Sequence, residues 1–105
     1  MRTKKEELIP ARELMEEIVG PLTFARFLRV WRELQDMTQV AAAAKLGVTK
    51  ARLSDLEHGR RLASVELARS IAKRLGAPET QAIECCLQDQ LRKAKVPKLR
   101  VKLVA

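Results

Sequence analysis

Residues 39–58 read QVAAAAKLGVTKARLSDLEH, and the spacing of small and apolar residues in this stretch decides the fold. Two short helices, 39–46 and 50–57, are expected on either side of Gly47. Helices that cross steeply need a small residue where they touch, and Ala43 supplies one. The turn between them needs a residue that tolerates left-handed dihedrals, and Gly47 supplies that. Val48, Leu53 and Leu56 then fall where they lock the second helix onto the first. Lys50, Ala51, Ser54 and Asp55 are left on the outer face, with Arg52 near its edge. Each feature alone is weak, since Ala and Gly are common. The joint spacing is strong.

Working outward, Thr23 reads as the N-cap of a helix running to about residue 35. Phe24, Phe27, Leu28, Trp31 and Leu34 recur at three- and four-residue spacing on its inner face. On the other side, Ser64 opens a helix with Ala68, Ile71, Ala72 and Leu75 facing inward and Gly76 as its stop. Pro78 suits the first turn of a further helix to about residue 94. Residues 13–19 read as a short amphipathic helix, with Leu14, Met15, Ile18 and Val19 on one side and Gly20-Pro21 ending it. After Pro97 the period changes. Leu99, Val101 and Leu103 alternate with Lys98, Arg100 and Lys102, the pattern of a strand. Three parts follow: an N-terminal helical extension at 1–20, a helical domain at 21–94 and a basic, strand-like tail at 95–105.

The 105 residues carry a net charge of +8, unevenly spread. Residues 21–75 hold 11 basic and five acidic groups, and residues 92–105 hold six basic groups and no acid. Such a balance favours polyanionic partners, because Lys and Arg near phosphates release condensed counterions. An anionic membrane surface competes for this reading. No apolar run, however, approaches the roughly 20 residues of a spanning helix, so no membrane association is expected. The first ten residues lack the apolar stretch of a signal peptide, which makes cytoplasmic residence the default. Cys85 and Cys86 are adjacent, point about 100° apart on a helix and read as structural thiols. One His in the chain argues against a zinc site. There is no Cys/His dyad at useful spacing, no paired carboxylates of a cleft and no phosphate-binding glycine loop. Neither an enzyme nor a bound cofactor or metal is expected.

At this point the sequence resembles the phage-repressor family of helix-turn-helix proteins (lambda repressor-like, Cro/XRE-type), over about residues 23–75. The residues that carry the likeness are Leu28-Arg29-Val-Trp-Arg32, Met37-Thr38-Gln39, Lys45-Leu46-Gly47-Val48-Thr49, Leu53-Ser54-Asp55-Leu56-Glu57-His58-Gly59-Arg60-Arg61 and Ala72-Lys73-Arg74-Leu75-Gly76. The resemblance implies an all-α bundle of about five helices, here with an extra N-terminal helix and a short C-terminal β-strand. It also implies sequence-specific binding to double-stranded DNA by a transcriptional regulator, a repressor acting as a homodimer on a palindromic operator. Thr38 and Gln39 would open the second helix, with Gln39 hydrogen-bonding a phosphate. Thr49 would cap the reading helix and reach a phosphate. Lys50 would meet guanine O6/N7, Ala51 a thymine methyl and Asp55 cytosine N4, with Ser54 one turn along and Arg52 on base or backbone. Arg60 and Arg61 would grip phosphates. Arg32 and Glu57 match a family ion pair that fixes geometry more than it adds stability.

Two departures stand out. The family usually has a Leu in its second helix, whereas this chain has Ala42 within an all-Ala run, leaving space for Trp31 or Phe27. The helix over residues 87–94 with its terminal strand resembles a subgroup of small regulators that includes the antitoxins of toxin–antitoxin pairs, so a toxin protein is an alternative partner. A helical hairpin used only for protein contact is the remaining reading of residues 39–58. The tail has three: a solvated basic end, a strand paired with its twin across a dimer, or a strand paired with another protein.

Overall fold

The computed structural model describes residues 22–96 and 98–104, and every regular element among them is a helix. In chain order these are α1 (Phe24–Leu34), α2 (Gln39–Leu46), α3 (Lys50–Glu57), α4 (Val65–Leu75) and α5 (Glu79–Lys93). The first four start the same way. Thr23, Thr38, Thr49 and Ser64 each sit in extended backbone, and each hydroxyl accepts the N–H three residues on. Those bonds, to Arg26, Ala41, Arg52 and Leu67, are 3.0–3.1 Å long. Each satisfies an amide the helix itself cannot, an effect of about 1 kcal/mol. α5 begins after Pro78 without a side-chain cap.

One core joins all five helices. Phe24, Phe27 and Leu28 of α1 meet Ala42, Ala43 and Leu46 of α2, Leu53 and Leu56 of α3, Ile71 and Leu75 of α4, and Ala82 and Cys85 of α5. α4 packs along α5, and α1 against α3. The aromatic rings of α1 follow one another, with centroids 5.9 Å apart for Phe24 and Phe27 and 6.3 Å for Phe27 and Trp31. The Ala run of α2 works by closeness: Ala42 is fully buried, Ala43 nearly so, and α2 packs against α3 and α4. Trp31 is only half-buried against this core. Leu34, expected on the inner face, is 67% exposed. It has the right angular position but lies uncovered at the end of α1, while Trp31 and Arg32 of the same turn meet the core and Glu57. There the chain turns through Asp36, whose φ is +53°.

Side chains also tie elements together. The Asp89 carboxylate of α5 accepts the Phe24 N–H at 3.0 Å, giving an unpaired amide in the first turn of α1 a partner from a distant helix. Gln35 donates to the Leu75 carbonyl, a C-terminal group that α4 itself cannot satisfy. Cys85 and Cys86 are free and buried. The Cys86 thiol donates to the Ala63 carbonyl, and burial, with a smaller effect from Asp89, pushes its pKa up.

The tail differs from expectation. Residues 98–104 form no strand. Their period of two is nonetheless expressed, because alternate residues turn backbone groups toward α5. Gln88 donates to the Leu99 carbonyl at 2.7 Å and accepts the Val101 N–H at 2.9 Å, and Glu84 accepts the Leu103 N–H at 2.7 Å. A strand needs a neighbouring strand, and within one chain helix side chains stand in for it. The helix expected at 13–19 lies outside the described residues. No helix of the described residues is long and apolar enough to cross a membrane.

Candidate functional site

Two helices and the bend between them present the surface that matters. Gly47 ends α2 in the left-handed region, with φ of +70°, and Val48 N–H returns to the Ala43 carbonyl at 3.0 Å. A β-carbon on Gly47 would stand 3.2 Å from Arg74 Nη1, the end of an exposed and movable side chain, so the constraint on this position is its dihedral. Leu53 and Leu56 bury one side of α3 completely. The opposite side faces out: Lys50, Ala51 and Arg52 are exposed, and Ser54 and Asp55 are half-buried.

A buried ionic clamp holds that helix in place. Arg32 Nε donates to Glu57 Oε2 at 2.6 Å, and its Nη2 donates to Oε1 at 3.1 Å. Its third arm, Nη1, reaches the Met37 carbonyl at 2.8 Å. Gln39 Nε2 completes the cluster on Glu57 Oε1 at 3.1 Å. One carboxylate at the C-terminal end of α3 thus binds α1 and the start of α2, and Arg32, held by it, binds the α1–α2 link. Hydrogen bonding to Glu57 raises the pKa of Arg32 against the opposing effect of burial, so the guanidinium remains charged.

A family model described as helix-turn-helix matches residues 28–81, just over half of the chain. The chain belongs to the lambda repressor-like, Cro/C1-type helix-turn-helix family. Comparison with curated proteins and with solved structures returned no match. As a member of this family the protein is a DNA-binding transcriptional regulator. Its α2 and α3 are the two helices of the helix-turn-helix, and α3 is the second of the pair, the one that enters the major groove in proteins of this architecture.

The structure distributes the residues singled out in the sequence unequally over the helix-turn-helix. Thr38 and Thr49 are both occupied as N-caps. The Gln39 amide, expected to meet a phosphate, already donates to Glu57. Arg60 and Asp55, expected on a phosphate and on a cytosine, meet each other, with Arg60 Nε 2.7 Å from Asp55 Oδ1. His58 caps the end of α3, its Nδ1 lying 2.7 Å from the Ser54 carbonyl. Arg61 is exposed on the loop beyond.

A basic cleft of about 530 Å³ had no counterpart in the sequence reading. Arg26 and Arg29 of α1, Arg61 of the loop and Arg92 and Lys93 of α5 line it, together with Glu57 and with Asp89, which pairs with Arg92. The i, i+3 placement of Arg26 and Arg29 was visible in the sequence. Their approach to Arg61 and α5 depends on how α1 and α5 cross, which no local pattern reports.

Proposed function

We propose that the chain is a repressor that binds a palindromic operator as a homodimer, each protomer laying α3 in one major groove. The observation that supports this most is the division of α3 into a fully buried side and an exposed side bearing Lys50, Ala51 and Arg52. In this reading Lys50 donates to guanine O6/N7, and Ala51 permits close approach and meets a thymine methyl. Arg52 contacts base or backbone, and Thr38, Gln39 and Thr49 lie along the phosphates beside the helix N-termini. Arg61 and the basic cleft next to it add sequence-independent attraction. Gln39 keeps a second amide hydrogen for a phosphate while Glu57 fixes its orientation. A compact bundle sitting on its operator acts by excluding other proteins from that stretch of DNA.

Dimerisation follows from size. One helix in one groove covers too little surface for tight specific binding, and two half-sites one helical turn apart double it. The tail offers a surface for this: Leu99 is 58% exposed, and Leu103 and Val104 are exposed beside it. The same apolar, basic tail supports a second reading, an antitoxin that binds operator DNA and a toxin protein. A small protein co-purifying in stoichiometric amount would favour that reading, and a lone dimer in solution would favour the first.

The test is a binding comparison between a duplex selected from a random pool and a random duplex of equal length. Lys50→Ala is expected to weaken the selected duplex by roughly tenfold and the random one far less. Arg61→Ala is expected to weaken both and to reduce the salt slope by about one. If Lys50→Ala lowers both affinities equally, Lys50 does not read a base. If the wild-type chain binds no duplex even at low salt, the repressor reading fails.

A further inference from the structure

The side chain that follows α3 folds back onto it. Gly59, with φ of +70°, reverses the chain, and Arg60 N–H donates to the Asp55 carbonyl at 2.9 Å. The Arg60 side chain returns to the same place. Its Nε donates to Asp55 Oδ1 at 2.7 Å and its Nη2 to Ser54 Oγ at 3.2 Å. Ser54 Oγ is in turn 3.3 Å from His58 Nδ1. Backbone and side chain together hold the guanidinium across the outer side of the second turn of α3.

A guanidinium carries two bidentate donor edges, one formed by Nε and Nη2 and the other by the outer hydrogens of Nη1 and Nη2. Here Asp55 and Ser54 occupy the first edge. No described residue accepts from Nη1. The Arg60 side chain is 56% exposed, so with its first edge held by Asp55 and Ser54 the second is open to a base edge with two acceptors in one plane. A phosphate needs no such fixing, since it presents acceptors in every direction.

We infer that Arg60 extends the reading surface of α3 as a guanine-reading side chain, and that Asp55 and Ser54 are the positioning residues that aim it. The inference rests on the proposed operator binding and deepens it. Asp55 would otherwise set a negative charge against DNA. Paired with Arg60, it neutralises that charge and orders a side chain that in isolation loses rotamer freedom on binding. Arg60 is then a specificity determinant in the loop beyond the helix, and Asp55 acts through it.

The experiment uses the full chain, a duplex selected by the wild-type protein, variants of that duplex with each G·C pair replaced in turn, and a random duplex. Arg60→Lys keeps the charge and loses the fork. The selected duplex is expected to weaken about tenfold or more while the random duplex changes less than about twofold, and one G·C replacement should cease to matter for this variant. Asp55→Asn keeps the shape and removes a negative charge, so electrostatics alone would tighten both duplexes. The inference expects the opposite on the selected duplex, a loss of roughly threefold or more, with the same G·C pair losing its effect. Both residues are surface groups, and an unchanged thermal midpoint checks that the fold is intact. An unchanged ratio of selected to random affinity in Arg60→Lys, or equal tightening of both duplexes in Asp55→Asn, overturns the inference while leaving operator binding in place. Absence of any selected sequence for the wild-type chain overturns both.

Discussion

Replacing Glu57 by alanine is expected to destabilise the protein by about 3–5 kcal/mol, the usual effect of removing one partner of a buried ion pair. Glu57 is 2% exposed and accepts hydrogen bonds from both Arg32 and Gln39. Alanine would leave the Arg32 guanidinium, 13% exposed, with the Met37 carbonyl and the more distant, exposed carboxylate of Glu33 at 3.9 Å. The penalty is the desolvation of a charge that has lost its counter-charge, more than the loss of the pair itself. Glu57→Gln keeps the shape and one acceptor, so it should cost less, about half as much. Urea unfolding followed by far-UV circular dichroism measures both. A loss below about 1 kcal/mol for Glu57→Ala would mean that the clamp does not hold α3.

The second large effect belongs to Leu53→Ala, expected at about 3 kcal/mol. Leu53 is fully buried in α3, which packs against both α1 and α2. Its loss removes methyl groups from the packing of α3 against α1 and α2, behind the exposed side of α3. α1 and the start of α2 are tied to α3 by the Arg32–Glu57–Gln39 cluster, so the space is expected to close only in part and leave a cavity. The same urea experiment applies. A change under about 1 kcal/mol would show that the helices collapse onto the site and that the bend is softer than described.

The fold was legible where local chemistry decides it. Hydroxyls at Thr23, Thr49 and Ser64 and glycine stops at Gly47 and Gly76 lie where the sequence places them, and Thr38 caps α2 in a role the sequence reading had not given it. The buried face of α4 was legible from spacing alone. Leu34 was not, because period tells which way a side chain points and not whether another helix is there to cover it. The tail shows the same limit. Alternation at Leu99, Val101 and Leu103 was visible, but its hydrogen-bond partners, Gln88 and Glu84, lie on a helix whose approach is a tertiary event. In the site, the sequence marked the outward residues of α3. It could not report that Arg60 returns to Asp55 or that Gln39 is engaged by Glu57, since both depend on side-chain reach across turns.

Amide chemical shifts of the ¹⁵N-labelled protein, titrated with a duplex selected from a random pool, test the central claim most directly. The largest changes should fall on residues 49–55 and on Arg60 and Arg61, with Leu56 following as the helix is engaged. Changes confined to α4, α5 and the tail, with residues 49–55 unmoved, would mean that α3 is not the surface this protein uses to read DNA.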